Sequence, residues 1–172
     1  YIEKDSSIND RLDRLRLAAT TSLMSRRDTL IVASVSCIYN LGSPGDYKNQ
    51  LVYFEKGQTF DRDEVIRRLI DIQYERNDYE FTRGKVRVRG DVVEIFPAYR
   101  QDAVRVVFLS GAEGDEIERI SQIEPVTGDI IQNLDKVAIY PAKHFVVKEP
   151  YITNAMAGIE EELMLRVKEL NS

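Results

Sequence analysis

The order of apolar and polar positions changes character twice along the chain. Ser7 or Asn9 can cap a helix running to about Arg26, in which Leu12, Leu15, Ala19 and Leu23 recur at spacings of three and four. The run TLIVASVSCIY, 29–39, is apolar and β-branched at successive positions, which predicts a strand buried on both faces, as in a parallel α/β sheet. NLGSPG, 40–45, reads as a loop. Beyond it the period falls to two. Strands are predicted at 50–55, 79–82, 85–89, 92–96, 103–109, 116–123, 129–132 and 136–140, with GD at 90–91 and TGD at 127–129 as turns. One helix interrupts them: Asp61 caps it, it runs to about Tyr74, and Val65, Ile66, Leu69 and Ile70 form its buried face. The helical period returns over 151–170, where Ile152, Met156, Ile159, Leu163, Val167 and Leu170 share one side.

These elements make an α+β chain: an antiparallel β-rich domain with helices, flanked by helical and α/β pieces of a different fold. Segments 1–49 and 145–172 then belong together, with 50–144 inserted between them. The chain starts at Tyr1 and stops while a helical pattern is still running, so a piece of a longer protein is expected.

Composition narrows the function classes. With 172 residues and 43% hydrophobic content, one good core can form. A charged fraction of 31% without low-complexity runs describes a folded, soluble protein. The net charge is −5, so any nucleic-acid role needs a local basic face. No apolar run approaches the ~20 residues of a membrane span, and no signal-peptide pattern opens the chain. Cys37 is the only cysteine, which excludes an internal disulfide and suits a reducing, cytoplasmic setting.

Catalytic motifs are missing. There is no G-x-x-x-x-G-K-[ST], and GSPGD at 42–46 lacks both the lysine and the spacing. No Cys/His cluster offers a zinc site. His144 is the only histidine, no nucleophile elbow accompanies it, and it reads as structural or exposed. The acids of GDEIERI follow strand alternation, and those of GIEEELML a solvated helix face. No cofactor is expected of this stretch.

One anomaly remains. In GKVRVRGDVVEIF, 84–96, Lys85, Arg87 and Arg89 alternate with Val86 and Val88, so three like charges share one face of a strand. An edge strand guarded by cations would explain this. So would pairing of Arg87 or Arg89 with Glu94 on the neighbouring strand. The third reading is a recognition face, because arginine forks bind carboxylates bidentately and are enriched at interface hot spots. A direct nucleic-acid face is a further alternative. It finds no aromatic interleaved with the cations, since Tyr79 and Phe81 lie on a preceding strand.

VASVSCIYNLGSP, RRLIDIQYERND, RGKVRVRGDVVEIFPA, GDEIERI and KVAIYPAKHFV together resemble the UvrB family, the damage-verifying subunits of the bacterial UvrABC excision nuclease, over almost the whole chain. Similarity to the UvrB-like, UvrA-recruiting module of the transcription-repair coupling factor Mfd is weaker and rests mainly on RGDVVEIFP and DEIE. The resemblance implies a superfamily 2 helicase core with a UvrA-binding domain inserted into its first motor domain. Residues 1–49 and 145–172 would be motor pieces lying between the ATP-binding motif and the acidic Walker B motif. ATP and magnesium would then serve the complete protein, and this stretch alone is not expected to hydrolyse ATP. Residues 50–144 would dock UvrA, so that damaged DNA passes to the motor for verification and UvrC-dependent incision.

By the same resemblance, Arg76 in YERND, Arg87 and Arg89 in VRVRGD, and Arg105 in AVRVVF carry UvrA binding. Ser34, Ser36 and Tyr39 match the region around helicase motif Ia, which faces DNA. The chain departs from the family pattern at Val107, where an acidic residue is expected, and in LSGAE, 109–113, which extends a loop. Val86 and Val88 are expected to carry the burial of their strand, with its cations hydrated until a partner supplies carboxylates.

Overall fold

The computed structural model of the chain describes residues 10–34, 47, 50–111, 114–144, 159, 162–164 and 166–167. The first helix, α1 (Asp10–Ser25), forms where its period places it, with Asp10 and Asp13 at the electropositive first turn. It does not bury the face that period suggests. Leu12, Leu15 and Leu23 are about half exposed, whereas Leu17 and Thr21 are buried. Leu17 packs with Tyr47, Tyr99 and Tyr140, and Ala18 and Met24 flank that contact. The tyrosines select the 17–21–24 side, and the leucine stripe is turned outward.

The strand predicted at 29–39 does not form over its described part. Residues 29–34 are irregular, and Leu30 and Val32 are almost fully exposed. A doubly buried strand needs ladder partners, and no described strand runs beside this one. Residues 35–39 lie outside the described residues. At the other end Ile159, Leu163 and Val167 are helical and exposed, and the remainder of the expected apolar face lies outside the described residues.

Between these flanks stands a strongly bent sheet. Its strands are β1 (Val52–Glu55), β2 (Thr59–Phe60), β3 (Glu75–Arg76), β4 (Lys85–Arg89), β5 (Val92–Phe96), β6 (Ala103–Gly111), β7 (Gly114–Ile123), β8 (Ile130–Leu134) and β9 (Lys136–Ile139). The main sheet runs β2-β7-β6-β5-β4-β3, and β8 shares the free side of β7 with β2. β1 and β9 form a separate antiparallel pair in which Val52 faces Ile139. Chain entry and exit are therefore side by side. All pairs are antiparallel except β3–β4.

That parallel pair replaces the strand predicted at 79–82. The Asn77 side-chain oxygen accepts the backbone N–H groups of Tyr79 (3.1 Å) and Glu80 (2.9 Å), a local turn that competes with strand pairing. The chain crosses over between β3 and β4 instead of pairing along its length.

The second helix, α2 (Arg62–Asp71), lies against the inner face of the sheet. Asp61 caps it, accepting from the Asp63 amide at 2.9 Å. It stops short of Tyr74 because Gln73 takes a left-handed φ of 71°. Val65 and Leu69 are fully buried. Ile66 is only partly so, and Ile70, predicted inside, is half exposed. Ile72 and Tyr74 fill that place in the core, beside Phe54, Ile95, Val106 and Ile120.

Buried tyrosines join α1 to the sheet. The Tyr74 hydroxyl donates to the Tyr140 carbonyl at 3.0 Å, and the Tyr140 N–H donates to the Tyr99 hydroxyl at 3.1 Å. Burial, above all else, pushes the pKa of both Tyr74 and Tyr99 upward. A folded pKa above the unfolded value near 10 means that these groups support folding below about pH 10. That support is lost as pH rises from there towards the folded values, by up to about 1.4 kcal/mol per pH unit for each tyrosine. In urea titrations from pH 8 to 11, Tyr74→Phe is expected to cost roughly 1–3 kcal/mol at pH 8, because a buried carbonyl loses its donor. Above pH 10 its stability should fall less steeply than that of the wild type. Parallel slopes would contradict the assignment.

Candidate protein-interaction surface

Strand register places the sequence-predicted cations more finely than alternation can. On the outer face, away from α2, Arg87 lies opposite Glu94, Glu94 opposite Arg105, Arg105 opposite Ser121, and Ser121 opposite Asn133. This is one polar row across five strands. Glu94 Oε2 accepts from Arg87 Nε at 2.6 Å, and its Oε1 accepts from Arg105 Nε at 2.8 Å. Further along, the Ser121 hydroxyl donates to Asn133 Oδ1 at 2.9 Å. The Glu94 side chain is 6% exposed, and those of Arg87 and Arg105 are 16% and 25% exposed.

A small apolar cluster lies beside the row. Phe96, Ala103 and Ile123 are buried under Phe81, which the crossover lays on this face. The Arg87 guanidinium carbon sits 4.4 Å from the Phe81 ring centre, and that of Arg83 sits 5.4 Å from Phe96. The outer face is thus a second, thinner core capped by cations.

The other side of the row carries Arg89, Val92, Val107 and Arg119, again by register. Arg89 ends β4 at a two-residue hairpin whose first turn residue, Gly90, has a φ of 58° while Asp91 stays negative, the type II′ pattern. Arg62, the first residue of α2, donates to the Gly90 carbonyl at 2.8 Å and fastens this corner. Among the described residues, no carboxylate pairs with Arg89 or Arg119 within 4 Å.

Arg76 belongs to neither row. It is aligned with Val86, so β3 carries it on the opposite face, where it pairs with Asp78 at 3.1 Å. Asp78 also accepts the Val88 N–H at 2.8 Å, and that bond, before the Arg76 contact, holds its carboxyl below the usual range. Lys85 pairs with Glu80 at 2.7 Å. Of the weaker candidates, Ser34 is exposed in the irregular stretch 29–34, and Ser36 and Tyr39 lie outside the described residues.

A family model described as the UvrB interaction domain matches residues 52–145, more than half of the chain. The chain belongs to the UvrB family. It is 56% identical over its whole length to UvrABC system protein B of Caldicellulosiruptor bescii, covering 26% of that protein. It is 52% identical over its whole length to the same subunit of Dehalococcoides mccartyi and 53% to that of Enterococcus faecalis, covering 25% of each. The chain spans about a quarter of the length of the curated relatives it matches. The family match begins with β1 and takes in every described strand together with α2, leaving α1 outside.

Within the UvrB interaction domain, the four arginines picked out from sequence therefore stand in three different states. Arg87 and Arg105 converge on one buried carboxylate. Arg89 is exposed at an anchored corner. Arg76 is on the other face. The picture of three hydrated cations backed by two buried valines is corrected accordingly. Lys85 and Arg87 are largely covered, and Val88 is only partly buried. Sequence reasoning missed Arg119. Its neighbour Ile120 is buried, which faces Arg119 outward, but only the register shift after Val107 aligns it with Arg89. Val107 itself falls between them, so this row holds two cations and no acid.

The two hairpin arginines should separate in folding. Arg87→Glu places a carboxylate against buried Glu94 and should cost about 3–5 kcal/mol, whereas Arg89→Glu should stay within about 0.5 kcal/mol of the wild type. Denaturant titration of each variant measures this. Equal losses would show that Arg87 is no more embedded than Arg89.

Proposed function

We propose that residues 50–144 are the part of a UvrB-family protein that docks UvrA in bacterial nucleotide excision repair. Residues 1–49 and 145–172 are then pieces of the motor domain into which it is inserted, and damaged DNA and UvrC are engaged by the complete protein. The observation that carries the reading is the interaction-domain match over the whole sheet. The pairing of β1 with β9 supports the insertion, because it brings both ends of the unit to one place.

The chemistry of the outer face favours a protein partner over a nucleic acid. Phe81, the aromatic nearest the cations, is engaged under Arg87 and over Phe96, so it is not available to stack on a base. Tyr79 is fully exposed, but Asp78 and Glu80 flank it, which opposes a phosphate backbone. Two arginines beside Val92 and Val107 offer an acidic protein surface both charge and apolar contact. Among the described residues, no helix is long and apolar enough to cross a membrane.

Arg89 is the clean probe, since reversing it spares the buried carboxylate. Arg89→Glu should weaken UvrA binding by roughly thirtyfold or more, the equivalent of about 2 kcal/mol for a reversed interfacial charge. Calorimetric titration with UvrA, run beside titration with damaged duplex DNA, measures both affinities. Unchanged UvrA binding with lost DNA binding would replace docking by a nucleic-acid face.

A further inference from the structure

Glu94 lies outside the set of arginines that the family resemblance marks, yet it organises two of them. Its carboxylate is divided between its neighbours. Nε and Nη2 of Arg87 both lie 2.6 Å from Oε2, and Nε and Nη2 of Arg105 lie 2.8 and 2.7 Å from Oε1. Each planar fork thus spends one edge on Glu94 and turns its Nη1 end away. Each is also pressed against a fixed neighbour. Phe81 lies under Arg87, and the turn at Gly128 lies so near Arg105 that a Cβ there would stand 3.1 Å from Nη2. Gly128 has a φ of 77°, so glycine suits both that backbone and the space. Neither guanidinium is sealed in, and the group of three keeps one net positive charge.

We infer that Glu94 is a positioning residue of the docking face: it holds Arg87 and Arg105 as two fixed forks whose outward ends receive acidic side chains of the partner. This inference rests on the UvrA-docking reading. Its physical content is preorganisation. The rotamer freedom of two long side chains is given up on folding, so it is not lost again on association.

A sign test separates positioning from bulk charge. Glu94→Gln leaves the side-chain shape nearly unchanged and makes the face more positive by one charge. Electrostatics alone would then bind an acidic partner more tightly, whereas loss of positioning weakens binding. The full chain carrying Glu94→Gln is expected to bind UvrA about tenfold more weakly, with the association rate at low salt equal or higher and the loss in the dissociation rate. Arg105→Lys keeps the charge but not the fork and should show a similar loss. Arg89→Glu, titrated in parallel, reports on docking itself. If it loses affinity while Glu94→Gln and Arg105→Lys bind as the wild type does, positioning is overturned and docking stands. If all three bind normally, the docking face lies elsewhere and both readings fall. Should Glu94→Gln melt below the assay temperature, Arg105→Lys decides: wild-type affinity overturns the inference, and a tenfold loss upholds it.

Discussion

A carboxylate almost out of water holds the outer face of the sheet together. Glu94 sits at the middle of three adjacent strands, β4, β5 and β6, and accepts an arginine from each side. A single buried charge would be expelled or neutralised, and a lone arginine beside it would leave lone pairs unmet. Two forks satisfy both oxygens. The partnership also explains the sequence pattern that first looked unfavourable. Three cations in alternation on one strand are tolerable because each meets a different neighbour: Glu80 for Lys85, Glu94 for Arg87, and solvent for Arg89.

Much else follows from placing charge there. The inner face is apolar where α2 covers it, and Val65 and Leu69 enter among Phe54, Ile95 and Val106. Among the described residues, no helix covers the outer face. It is closed by a crossover that brings Phe81 over Phe96, and by guanidinium planes resting on those rings. Coverage by long cationic side chains suits an interface better than coverage by a helix does. The apolar stems stay packed while the charged ends remain within reach of a partner.

Local features were legible in the sequence. Alternation located most of the strands, the GD turn and Asp61 cap fell where their chemistry requires, and the possibility that Glu94 pairs with Arg87 was visible from the hairpin alone. Non-local features were not. Nothing in α1 says that tyrosines 47, 99 and 140 will select Leu17 over the leucine stripe. Nothing in α2 says that Ile72 and Tyr74, beyond its end, will displace Ile70 from the core. The second arginine on Glu94 comes from a strand 11 residues away, and the grouping of Arg89 with Arg119 depends on a bulge. The run at 29–34 fails as a strand for the same reason, because a pattern shows what a segment would bury but not what is present to bury it.

Glu94 fixes Arg87 and Arg105 in the free chain, while Arg89 has no such partner among the described residues. Nitrogen-edited NMR of the arginine Nε–Hε groups reads this directly. Persistent, slowly exchanging signals are expected for Arg87 and Arg105 at neutral pH, with fast exchange for Arg89 and loss of the first two in Glu94→Gln. Equal exchange at all three arginines would contradict that role of Glu94.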